Sequence, residues 1–173
     1  MKKSTLPNLL SFWITIFFPC FIFAQDTLYV DSAATGANNG TSWENAYTKV
    51  SSALNNNAGY GDQVWVAKGT YYPTSGSNRA IFLGLANGVQ VYGGFKGGET
   101  SIDQRDWVAN PTIFSGDIGI KGDSMDNSYT VLISNGADST TLLDGIIIEK
   151  GHANGDSDIS DFFCQWWRNL FNR

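Results

Sequence analysis

The sequence predicts an all-β chain wound as a parallel solenoid, with one capping α-helix near its N-terminus. Three observations predict it. Short apolar runs alternate with polar residues and are bounded by Gly, Asn and Asp, the pattern of half-buried strands with sharp corners. Their starts, near Val64, Val89, Thr112, Thr130 and Leu142 or Gly145, recur about 12 to 25 residues apart, a spacing close to that of repeat architectures and long for hairpins. Finally, no helix-length periodic segment separates these runs, so a doubly wound sheet would lack its crossovers.

Taken in order, residues 1–24 form a secretory signal. Lys2 and Lys3 open the chain, an apolar run from Leu9 to Phe23 follows, and Ala24 supplies the small residue at the cut. Pro19 interrupts that run, which is poor for a transmembrane anchor needing about 20 apolar residues, so no membrane span is expected after cleavage. Residues 25–155 form the fold proper. Leu28 and Val30 mark a first short strand, and "TGANNG" reads as a loop. Thr41 and Glu44 then stand at the spacing of a capping box. Trp43, Ala46, Tyr47, Val50, Ala53 and Leu54 follow at intervals of three and four, which predicts a helix over 43–54 that stops in "NNNAGYG".

Beyond it, "QVWVA" places Val64 and Val66 on one face and Trp65 on the other; Val89 and Val91 repeat the arrangement. Stacked rungs are expected to hide Val64, Val66, Val89, Val91, Ile113 and Ile147 in one shared column. Corners between strands call for residues that tolerate positive φ, hence the Gly and Asn. The helix at 43–54 is the expected lid on the first rung, whose edge would otherwise pair with other molecules. The far end has no comparable cover, which predicts self-association through an uncapped C-terminal coil.

Composition narrows the partners. Without Lys2 and Lys3, 9 of the 11 basic side chains remain against 16 acidic ones, a net charge of −7. Such a chain cannot neutralise a row of phosphates, which excludes nucleic acid. With Cys20 removed alongside the signal, Cys164 is the single cysteine and no intrachain disulfide can form.

Three phrases carry a family likeness: "VYGGFKGGETSIDQRDW", "NPTIFSGDIG" and "LLDGIIIEKGHANG". In this order they resemble the N-terminal coils of secreted right-handed parallel β-helix proteins of the pectin-lyase-like superfamily, nearest to the polymorphic outer-membrane-protein-like exported proteins of Bacteroidetes-type bacteria. The resemblance runs from about Leu28 to about Gly155. It implies a right-handed parallel β-helix, export to the medium or the outer-membrane surface, and a longer parent protein. It does not specify an activity, because the superfamily includes lyases, hydrolases, adhesins and proteins without a known role.

The last residues, 156–173, break the pattern. "SDFFCQWWRNLFNR" has five aromatics and no Gly. In relatives the phrase after "ANG" leads to "GGGIY" and a further coil. Adjacent Trp codons, TGG TGG, read one base later must give Gly-Gly. The tail is therefore read as out-of-frame translation of a truncated gene or as a C-terminal amphipathic helix; a nucleotide sequence in which the adjacent frame carries no further coils excludes the former.

Candidate chemistry is sparse. His152 is the single histidine, which rules out a zinc cluster built on imidazoles, and no nucleophile elbow accompanies it. "YGGFKGGE" lacks the Lys-Ser/Thr ending of a phosphate cradle, and its glycines read as corners and as room for close backbone approach. Asp103 and Asp106 flank Arg105 in a segment read as a polar loop beside Trp107. Asp117, Asp123 and Asp126 offer oxygen ligands and are the candidates for calcium, the one cofactor considered, though without the spacing of a known calcium loop; no catalytic residue is assigned. The expected function is a non-catalytic exported or cell-surface module for adhesion or glycan binding, its partner a polysaccharide or a host or cell surface. The alternative is a pectate-lyase-like polysaccharide lyase or a glycoside hydrolase whose active coils lie beyond this chain.

Overall fold

The computed structural model describes residues 25–154; the expected signal segment and the atypical tail lie outside them. Among the described residues the chain is mostly strand, with one α-helix. The elements are β1 (Thr27–Val30), α1 (Val50–Asn56), β2 (Gln63–Ala67), β3 (Gly69–Tyr71), β4 (Leu83–Leu85), β5 (Gln90–Phe95), β6 (Thr112–Ser115), β7 (Leu132–Ser134), β8 (Leu142–Asp144) and β9 (Ile146–Glu149). They form three sheets, ordered β1-β2-β5-β8, β3-β6-β9 and β4-β7, and every strand pair is parallel. From β2 onward the chain visits the three sheets in turn and repeats that order.

From β2 onward, strands adjacent in sequence are therefore not neighbours in a ladder. Val64 pairs with Val91 and Leu28, and Val91 with Leu143. These side chains, with Val30 and Val66, point inward; Val30, Val64, Val66, Val89 and Val91 are fully buried. Leu83, Leu85, Tyr71, Phe114 and Val131 complete the same core from the other two sheets.

Ile113 and Ile147 do not belong to that column. They are register partners, but Thr112, Phe114 and Ser115 are the buried residues of β6 and Ile147 is 47% exposed. Successive side chains on a strand alternate between faces, so burying Phe114 turns Ile113 outward, and its partner with it. Val89, equated with Val64 from spacing, precedes β5 and pairs through its carbonyl with the Leu142 N–H.

The helix also departs from expectation. It begins at Val50, seven residues later than the capping-box reading, and Lys49 at its N-cap supplies no side-chain bond. Residues 40–47 are held by the free edge of β1 instead. The Tyr29 N–H donates to the Gly40 carbonyl, the Tyr47 N–H to the Tyr29 carbonyl and the Asp31 N–H to the Tyr47 carbonyl. Pairing an otherwise exposed edge outweighs the weak preference of Trp43–Tyr47 for helix. The edge of β1 is thus met at Gly40 and Tyr47 by a looped segment, with a single parallel bridge between Val30 and Tyr47, while α1 lies on β4. There the Asn55 amide acts as a substitute peptide: Oδ1 accepts from the Gly84 N–H at 2.8 Å and Nδ2 donates to the Phe82 carbonyl at 3.3 Å.

Candidate functional site

On the outer side of the four-stranded sheet, alternate positions fall in two columns. Thr27, Gln63, Gln90 and Leu142 are in register, and next to them Tyr29, Trp65, Tyr92 and Asp144. Two rungs repeat one contact: the Trp65 indole donates to Gln63 Oε1 at 2.9 Å, and the Tyr92 hydroxyl to Gln90 Oε1 at 3.0 Å.

The two ends of this face differ. Over β1 and β2, Trp43 lies across Tyr29 with ring centroids 4.9 Å apart, and Trp65 stacks on Phe95 at 4.8 Å and 10°. The Trp43 indole donates to the Glu99 carbonyl at 2.8 Å. A second, aromatic core closes this end, leaving Trp65 only 7% exposed.

Over β5 and β8 the face stays open. A strap of residues 101–107 crosses it, starting in a 3-10 turn, Ile102–Gln104, that Ser101 and Gln104 cap reciprocally. Arg105 follows. Its guanidinium sits 5.0 Å from the Tyr92 ring centroid and 5.5 Å from that of Trp107, forms an ion pair with Asp144, and donates to the Gly93 carbonyl at 3.4 Å. The Arg105 side chain is 9% exposed and that of Asp144 is 44% exposed. Trp107 stands 56% exposed beside them. Gly94 allows this approach: its φ is +91°, and a Cβ there would lie 2.8 Å from Trp107 Cα.

Asp106 organises the strap as expected for a polar loop, accepting from the Val108 and Ala109 N–H groups at 3.0 and 2.9 Å. Neither Asp103 nor Asp106 pairs with Arg105. Its partner is Asp144, which the sequence reading passed over; only a register pairing across 39 residues brings them together.

The calcium candidates are engaged with the protein itself. Asp117 is buried; its Oδ2 takes the Lys150 ammonium at 2.9 Å and its Oδ1 the Gly122 N–H at 2.7 Å. Asp123 caps a 3-10 turn through the Met125 N–H at 2.9 Å, and Asp126 accepts from the Ile120 N–H at 2.6 Å. Among the described residues no three His, Cys, Asp or Glu side chains converge as a metal ion would need. His152 is half-buried and tethered, its N–H donating to the Ser128 carbonyl at 2.8 Å and its Nδ1 meeting the Ser124 carbonyl oxygen.

Lys150 and then the Gly122 N–H hold the Asp117 carboxyl below the ordinary 3.8, and Asp117 holds Lys150 above 10.5. The sign of the linkage follows. The carboxylate contributes stability above its ordinary value and loses it as pH falls through the depressed one. The ammonium contributes below 10.5 and loses it as pH rises through the elevated one. Asp117→Asn should therefore lower the Tm at neutral pH and flatten its acid-side fall, which thermal unfolding from pH 7 to pH 2 checks. Tyr71 is pushed up to about 12, chiefly by burial. Its hydroxyl donates to the Ala67 carbonyl at 3.0 Å, a neutral pin unsuited to proton transfer near pH 7.

A concavity of about 490 Å³ opens between α1 and residues 70–75, lined by polar residues such as Thr48, Lys49 and Asn55 and by the apolar Val50, Pro73 and Ile81. No helix of the described residues is long and apolar enough to cross a membrane. No family model, curated protein or solved structure matches this chain.

Proposed function

We propose that this chain is the first part of a right-handed parallel β-helix of pectin-lyase-like kind, exported or displayed at the cell surface, and that it serves adhesion by binding glycan without cleaving it. The cyclic visiting of three parallel sheets supports the solenoid, as does the stacking of like on like at Val64–Val91 and Gln63–Gln90. The signal-like residues 1–24 support export.

The observation that carries the binding function is Trp107. A half-exposed indole has hydrophobic area to gain from a partner, yet this one is held by a guanidinium that is itself fixed by Tyr92, Asp144 and the Gly93 carbonyl. An exposed aromatic plane beside the Arg105–Asp144 pair offers a sugar ring a stacking face, with a carboxylate oxygen nearby to accept from its hydroxyls. Of the candidate carboxylates, Asp106, Asp117, Asp123, Asp126 and Asp144 are tied to a backbone N–H or a cation, which leaves Asp103 without an untied partner among them to act as a pair and favours binding over catalysis.

Affinity electrophoresis of the full chain in gels carrying different polysaccharides tests the reading. Retardation by at least one polysaccharide is expected, with Trp107→Ala weakening it about tenfold or more and leaving the circular dichroism unchanged. Appearance of unsaturated or shortened products would replace binding by a lyase or a hydrolase.

Self-association belongs to the same proposal. Among the described residues the outer edges of β7, β8 and β9 have no strand partner, and Ile148, inward-facing on β9, is 47% exposed. Unpaired edges recruit strands. Sizing chromatography with light scattering should give a mass that rises with concentration; a monodisperse monomer would refute this part.

A further inference from the structure

Resting on the glycan-binding reading above, we infer that the Trp107 platform takes uncharged glycans and discriminates against polyuronates. An acidic polysaccharide needs an available cation. Arg105 is the cation at the platform, and it is spent. Its side chain is 9% exposed, its charge is met by Asp144, a further N–H goes to the Gly93 carbonyl, and the Tyr92 and Trp107 rings lie near it. What the platform presents to solvent is negative or neutral. Asp144 is 44% exposed, and the strap beside it carries Asp103 and Asp106 against Arg105.

The neutral groups are suited to hydroxyl-bearing rings. Leu142, 40% exposed, is in register with Gln90, and Asp144 with Tyr92. Gln90 Oε1 is occupied by the Tyr92 hydroxyl, which turns its amide N–H groups into the donors left for a ligand. The second Asp144 oxygen accepts from sugar hydroxyls. The exposed indole of Trp107 offers a face to the C–H side of a pyranose. A uronate carboxylate set against the same surface finds no free cation, since Arg105 and Asp144 neutralise each other, so it gives up its hydration without gaining an ion pair.

Affinity electrophoresis of the full chain against a neutral panel (a β-glucan, a mannan and a xylan) and against polygalacturonate and alginate decides it. The expected result is retardation by at least one neutral polymer, lost in Trp107→Ala, with the polyuronates about tenfold weaker or silent. Asp144→Asn is the second arm. It frees the guanidinium, so polyuronate binding should appear and should fall with added salt, a gain that mere damage to the fold cannot produce. Preferential binding of polyuronate by the unaltered chain, sensitive to Trp107→Ala, would overturn the inference while leaving the glycan-binding reading intact. Retardation by no polymer would sink that reading and the inference with it.

Discussion

Phe114→Ala should lower the free energy of unfolding by about 3–5 kcal/mol, as expected for emptying a fully buried aromatic site. Phe114 is 0% exposed, meets the Tyr71 ring edge-on at 6.4 Å, and is in register with Tyr71 on one side and Ile148 on the other. Truncation therefore opens a void between rungs that parallel pairing holds apart, and the neighbours cannot close it without breaking register. Ile113, one residue away, is only partly buried on the outer side, and Ile113→Ala should cost about 1 kcal/mol. Urea denaturation monitored by circular dichroism compares the two. Since small domains are stable by about 5–15 kcal/mol, the Phe114 variant is read from its midpoint even where its native baseline shortens. Equal losses would mean that the faces of β6 are wrongly assigned.

Gly93→Ala is expected to cost about 3 kcal/mol, at the upper end of the range for forcing extra volume into a packed site. A Cβ there would lie 2.4 Å from the Gly145 carbonyl oxygen, 2.6 Å from Ile146 Cδ1 and 2.9 Å from Thr112 Cβ. The first of these is backbone, fixed at the corner between β8 and β9, where Gly145 itself holds φ +69°. The clash is between rungs, so relieving it means separating β5 from β8. Because the Gly93 carbonyl also receives Arg105, glycan retardation should fall together with stability. Gly76→Ala is the control: the nearest atom to its added methyl is Thr74 Oγ1 at 3.7 Å, and its stability should change by no more than about 0.5 kcal/mol. The same denaturation curves test both, and similar midpoints for the two variants would refute close stacking at Gly93.

Much of this fold was legible before its structure. The strands around Val64, Val91 and Thr112 were readable because each lies between Gly or Pro corners and alternates in polarity. The glycines of "VYGGF" were readable as close-approach positions, and both Gly93 and Gly94 prove to have backbone where a Cβ would sit. The strap at 101–107 was legible as a polar loop around Trp107. The Arg105–Asp144 pair was not, because Asp103 and Asp106 are the nearer carboxylates along the chain and only the β5–β8 register places Asp144 closer.

By itself the sequence determined the all-β class, the positions of the corners and the absence of any patterned crossover helix, all of which are properties of residues acting within one strand or turn. Tertiary structure alone decided the rest. "IIIE" has no polar contrast, so its inward face follows from its pairing with β6 and not from its own pattern. The helical periodicity read over 43–54 starts in residues that do not form helix, because Tyr47 bonds the unsatisfied edge of β1 instead. The open aromatic platform is assembled from β5, β8 and the strap by registers that no local preference encodes. Hydrogen-bond satisfaction and burial are collective demands, and where they conflict with a local preference worth a few tenths of a kcal/mol per residue, they prevail.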